Sequence, residues 1–229
     1  MTETIRAQLL DAILPHVPFD GWSNVSFHAA IADLGMEKAL ADTICPRGAM
    51  DLAIAYHRRG DAAMVAAMKA SNMAEMRFRD KVATALKLRV EAMDDREAVR
   101  RASALFALPH NAVEGAKLIW ETADKVWTAL GDTSNDVNWY TKRATLSGVW
   151  ASTVLYWLGD DSPMAANTSD FIDRRIDNVM QIEKAKASFK KTPLAKPFMS
   201  LQDAIFSKVK APDLSPRTDL PGRWNRPVN

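Results

Sequence analysis

Four histidines, one cysteine and a set of aspartates are the side chains from which this 229-residue chain would build metal or nucleophilic chemistry. His16, His28, His57 and His110 are scattered, and no two lie close enough to form the paired ligands of a zinc helix. Asp170, Asp173 and Asp177 recur three and four residues apart, as carboxylate ligands on one helix face would. With no histidine among them, they read as solvated helix charge. Cys45 excludes an intramolecular disulfide and a cysteine zinc site, and its acidic surroundings do not favour a thiolate, so it reads as a small buried apolar side chain. There is no Gly-rich phosphate loop and no Gly-x-Ser-x-Gly elbow. The expectation is a protein without metal, cofactor or catalytic constellation.

Recognition chemistry is concentrated instead between Asp132 and Arg143, which reads Asp-Thr-Ser-Asn-Asp-Val-Asn-Trp-Tyr-Thr-Lys-Arg. Thr133 or Ser134 can cap a helix here, and Asp136 suits its positive end. Trp139 and Tyr140 then stand beside Lys142 and Arg143. Trp, Tyr and Arg are the side chains that most often dominate interfaces, although two core aromatics flanked by solvated charge would give the same string. Because Trp139 and Tyr140 are consecutive, one helix face cannot hold both fully, so one is expected in the core and the other at a partner.

The elements that must position this stretch are helices. Glycines number nine, period-two alternation is scarce, and apolar residues recur at three and four, which predicts an all-α bundle of about nine to ten helices. The expected spans are residues 4–16, 24–34, 37–44, a long helix after Pro46, 73–93, 95–108, 111–130, a helix from the capping residues to 158, and one entered through Ser162 and Pro163 that runs to about 189. Small residues Ala144, Gly148 and Ala151 would allow close approach of another helix, within the chain or across a dimer.

Charge is distributed unevenly. Residues 1–45 carry six acids against two bases, and residues 186–229 nine bases against three acids, although the whole chain nets only +2. The second short helix of the N-terminal region, Glu37 to Ile44, holds two acids and one base. Its helix-turn-helix spacing resembles the N-terminal half of the TetR-type transcriptional regulators, but phosphate and base-edge recognition needs donors that this helix lacks. A nucleic-acid partner is therefore not expected, and a ligand-responsive regulator remains the alternative reading. Beyond Pro193 and Pro197, the residues Phe198, Leu201, Ile205, Phe206, Lys208 and Val209 form an amphipathic pattern, suited either to a membrane surface or to docking on the core. The organisation expected is a degenerate helix-turn-helix region over 1–45, a helical domain over 46–190, a linker and amphipathic helix over 191–210, and a tail over 211–229. No leader or spanning segment is recognisable, so a cytoplasmic protein peripheral to the membrane is expected.

The Asn138-Trp139-Tyr140-Thr141-Lys142-Arg143 string, the Asp160-Asp161-Ser162-Pro163 turn, the helix Phe171-Ile172-Asp173-Arg174-Arg175-Ile176-Asp177-Asn178-Val179-Met180 and the upstream Leu108-Pro109-His110-Asn111 together resemble the lipid-binding accessory proteins of ubiquinone (coenzyme Q) biosynthesis. The resemblance covers roughly residues 9–186. It implies a TetR-like fold without DNA binding, a homodimer, a lipid-binding and dimerisation domain over 46–190 that holds an isoprenoid quinone or other lipid in an apolar pocket, with Met76, Leu118, Trp120, Trp127, Leu146 and Trp150 as candidates for its lining, and membrane contact through the C-terminal amphipathic helix. It also implies docking of the demethoxyubiquinone hydroxylase at a patch matching Asp136, Trp139, Tyr140 and Arg143.

Overall fold

A computed structural model describes residues 2–190 and 210–212. Among the described residues there are ten α-helices, one short 3-10 helix and no strand: α1 (Thr2–Ile13), α2 (Val17–Asp20), α3 (Asn24–Asp33), α4 (Lys38–Ile44), α5 (Ala49–Ala70), α6 (Phe78–Glu91), α7 (Arg96–Ala107), α8 (Ala112–Ala129), α9 (Val137–Leu158) and, after the 3-10 turn Pro163–Ala165, α10 (Ala166–Lys190). The all-α expectation holds. The helix expected over 73–93 starts only at Phe78, because the chain leaves α5 in an extended conformation at Ser71 and turns before re-entering helix.

Two apolar cores are joined by the long α5. Its first half sends Leu52, Ala53 and Tyr56 into a core with Leu9 and Ile13 of α1, Phe27 and Ala30 of α3, Ala41 of α4 and Ala98 of α7. Its second half sends Met64 and Met68 into a core with Leu86 of α6, Val126 of α8, Leu146 and Trp150 of α9 and Ile172 and Ile176 of α10. Each fully buried large side chain contributes about 1.5–3 kcal/mol, so α5 couples the two ends of the molecule through its own packing. Trp22 anchors the first core by donating its indole N–H to Ala98 O at 3.0 Å.

The α3–α4 pair keeps the helix-turn-helix spacing, and Ser23 caps α3 by accepting from Val25 N and Ser26 N. On α4, Lys38 is already paired with Asp42 at 2.5 Å, so the helix offers no uncompensated base. At the opposite end, α10 is fastened to α6 by charge: Arg79 donates to Asp177 at 2.7 Å, to Asp173 at 3.0 Å and to Asp173 O at 3.1 Å, while Lys87 reaches Asp173 at 2.7 Å. Two of the three regularly spaced aspartates thus lock one helix to another. No group of acidic, histidine or cysteine side chains among the described residues could hold a metal ion.

Candidate functional site

The turn between α8 and α9 is closed by Gly131, whose φ of 76° belongs to the left-handed region that glycine enters without a Cβ penalty. Asp132 N then donates back to Trp127 O at 3.0 Å. Asp132 turns its carboxylate inward, where it accepts from Ser134 Oγ at 2.8 Å, Lys142 Nζ at 2.7 Å and Arg143 Nη1 at 3.0 Å. Burial opposes that negative charge, but the bonds from Lys142, Ser134 and Arg143 outweigh it and lower the Asp132 pKa to about 2. Ser134 is occupied in this cluster. The cap of α9 is therefore Asp136, accepting from Asn138 N at 2.9 Å, and not Thr133 or Ser134 as the sequence suggested.

Arg143 is 2% exposed, with its guanidinium committed to Asp124 at 2.6 Å, Asp132 and Trp139 O. It cannot present its charge to a partner as the sequence reading supposed. It lies 4.0 Å from the centre of the Trp139 ring and holds that ring in place from behind. Trp139 and Tyr140 are both half-buried, in edge contact at 4.8 Å, and Trp120 of α8 packs beside them at 5.9 and 6.5 Å. Neither aromatic is in the core, contrary to the one-in, one-out expectation. Trp120 from α8 supplies the common surface on which both can rest. Asp136 is exposed at the rim. The segment 210–212 lies against the same surface: Tyr140 Oη donates to Lys210 O at 3.2 Å, and Ala211 N to Asn135 O at 3.0 Å.

Between the two cores lies an apolar cavity of about 370 Å³, walled by α5, α6 with the turn after it, α7, α8 and α9. Val99 and Phe106 from α7, Leu118 and Ile119 from α8 and Val154 from α9 supply apolar wall, while His57, Arg89 and Trp150 form a polar end. Close approach of α7 to α8 depends on Gly115, where a Cβ would fall 2.8 Å from Phe106 Cβ. A second, smaller cavity of about 190 Å³ opens between α6, α9 and α10. Of the expected pocket residues, Leu118 and Trp150 line the larger cavity, and Trp127 and Leu146 the smaller. Trp120 and Met76 line neither: Trp120 is in the aromatic patch, and Met76 is 40% exposed on the turn before α6.

Sequence reading missed the charged cluster beside the larger cavity. Asp61, with no exposed surface, accepts from Arg89 Nε at 2.7 Å, Thr122 Oγ1 at 2.9 Å and Lys125 Nζ at 3.2 Å. His57 Nε2 donates to Thr122 Oγ1 at 2.9 Å. Burial, chiefly, lowers the His57 pKa to about 4, so it is neutral at pH 7. Burial also works against the Asp61 charge, yet His57, Arg89 and Lys125 together keep its pKa below the ordinary carboxylate value. The spacing of His57 and Asp61, one helical turn apart on α5, was the signal available in the sequence. The membrane-facing candidates Phe198, Leu201, Ile205, Phe206, Lys208 and Val209 lie outside the described residues.

Residues 112–183, which span α8, α9 and most of α10, match the COQ9 family model. Over 201 residues the chain is 29% identical to the mitochondrial ubiquinone biosynthesis protein COQ9 of Rattus norvegicus, covering 83% of this chain and 63% of that protein. Against the corresponding protein of Homo sapiens the identity is 27%, with 83% and 62% covered. The mitochondrial COQ9-A of Xenopus laevis is 30% identical over 187 residues, with 78% and 58% covered. The chain thus spans a little under two thirds of the length of these curated relatives. In fold, it is similar to a TetR transcriptional regulator from Nitrosomonas europaea, with a TM-score of 0.61 at 17% identity over 76% of this chain and 97% of that one.

Proposed function

Taking this chain as a relative of the COQ9 proteins of ubiquinone biosynthesis, with a TetR-like fold, we propose that it is a non-catalytic lipid-binding accessory protein of that pathway. Its ligand is an isoprenoid quinone intermediate or another lipid, held in the cavity between α5, α7, α8 and α9. The observation that carries this reading is the cavity itself: about 370 Å³ of mainly apolar space at the junction of two cores, within the range of small-ligand pockets. Each CH₂ removed from water gains about 0.8 kcal/mol, so such a space competes with a bilayer for part of an isoprenoid tail.

Presentation to the demethoxyubiquinone hydroxylase is assigned to the patch of Asp136, Trp139 and Tyr140, with Arg143 and Trp120 as its support. Half-exposed aromatics on a rigid helix start suit an interface, because they bury large area at little entropic cost. A homodimer and contact with the membrane surface through residues 198–209 complete the reading. No helix among the described residues is long and apolar enough to cross a membrane.

Mass spectrometry of lipids extracted from the purified protein tests the proposal. Co-purified prenylated lipid is expected from a ubiquinone-producing host, and recovery of none counts against the cavity's assignment. A TetR-type regulator is the competing reading, favoured by the fold alone. Retardation of operator-sized duplex DNA at physiological salt would support it, against the self-paired Lys38 and Asp42 of α4.

A further inference from the structure

The larger cavity is not uniformly apolar, and its polar end has unspent donors. Trp150 forms part of the wall and is 1% exposed, yet its indole N–H is buried with no acceptor in the protein. An orphaned buried donor costs roughly 1–3 kcal/mol, and native structures retain few of them without a reason. Arg89, 3% exposed and also in the wall, spends Nε on Asp61 and Nη2 on His57 O, while Nη1 has no acceptor among the described residues. The guanidinium carbon stands 5.2 Å from the centre of the Trp150 ring, so the two side chains are neighbours in the cavity wall.

Glycine at position 60 maintains this arrangement. A Cβ there would lie 2.5 Å from Arg89 Nη1 and 2.7 Å from its Cζ, so any other residue would push the guanidinium away. Charge points the same way. Asp61 is shared by Arg89 and Lys125, leaving two cations on one carboxylate beside the cavity.

We propose that the cavity selects a lipid whose apolar body ends in a hydrogen-bond-accepting oxygen, with Trp150 Nε1 and Arg89 Nη1 as the donors that recognise it. The inference rests on the lipid-cavity reading above and adds an orientation: head oxygen at the Trp150–Arg89 end, chain against Val99, Phe106, Ile119 and Val154. A carbonyl and a carboxylate satisfy the same two donors. A hydrocarbon of equal size leaves both unpaired, and a site built for an oxygen discriminates against a ligand that lacks one.

The test is equilibrium binding to the delipidated full chain of three probes: decylbenzoquinone, decylbenzene, which keeps ring and tail but has no oxygen, and palmitate. Decylbenzoquinone is expected to bind at least tenfold more tightly than decylbenzene. Trp150→Phe is expected to remove most of that ratio. Palmitate above decylbenzoquinone identifies a carboxylate head, and the reverse order a carbonyl head. Equal affinity of decylbenzoquinone and decylbenzene for the unmutated protein overturns the head assignment and leaves the lipid cavity standing, since the donors would then be satisfied by water. Binding of none of the three overturns the cavity reading as well. Should Trp150→Phe fail to fold, Gly60→Ala, which displaces the guanidinium, is expected to lower the same ratio; an unchanged ratio in a folded variant argues against the proposal.

Discussion

Asp132 and Arg143 face each other across the α8–α9 turn at 3.0 Å, each with a side chain only 3% exposed. Arg143 also holds Asp124, and Asp132 also holds Lys142, so four charges are interlocked behind the aromatic patch. Breaking a buried pair strands the remaining charge, at a cost of about 3–5 kcal/mol. Arg143→Met is therefore expected to lower the thermal midpoint by many degrees. Loss of partner binding with an unchanged midpoint would show instead that Arg143 acts by direct contact.

Stability should fall in two acid steps. His57 has a folded pKa near 4 against an ordinary value of 6.5, so the unfolded chain takes up its proton first as the pH drops. The stability this gives is complete above pH 6.5 and lost between 6.5 and 4, by about 3 kcal/mol at 1.36 kcal/mol per pKa unit. Asp132, lowered to about 2, contributes stability present above its ordinary value of 3.8 and lost as the pH falls toward 2. Denaturant titrations at several pH values should show the first step disappear in His57→Gln and the second persist.

Trp139 packs on Trp120, Tyr140 and Arg143 while remaining half-exposed. Trp139→Lys should cost only about 1 kcal/mol of folding stability, the size of an aromatic or cation–π contact, yet abolish capture of the hydroxylase in a pull-down. A collapse of thermal stability would make the residue structural and sink the interface assignment.

The Arg79–Asp173–Asp177 contacts are partly exposed ion pairs, so Arg79→Ala should cost about 1 kcal/mol, with a loss that shrinks at high salt. If these aspartates served a divalent cation, adding one would raise the melting temperature of the unmutated protein. No rise is expected.

Gly115→Ala should destabilise by about 1–3 kcal/mol, because the added methyl meets Phe106 Cβ at 2.8 Å and Phe106 O at 3.2 Å and forces α7 from α8. Phe106 is also cavity wall, so the yield of extracted lipid should change with it. An unchanged melting temperature would mean that the two helices separate freely.

Helix type and most helix limits were legible in the sequence, because apolar spacing, caps and prolines act within a few residues of each other. The scarcity of bases around α4 was equally plain, and the structure pairs its one base, Lys38, with Asp42. What local pattern could not decide was direction. Arg143 reads as a surface cation until Asp124 and Asp132 are seen around it, and Ser134 reads as a cap until Asp132 claims its hydroxyl. The cavity was further from reach, since its wall is assembled from five helices and its polar end joins Gly60, Arg89 and Trp150, residues far apart in the chain. Sequence alone determined that this is a helical protein with an aromatic, cationic helix start. Tertiary packing decided which of those groups face solvent, because burial and unpaired donors are properties of neighbours that the chain brings together only by folding.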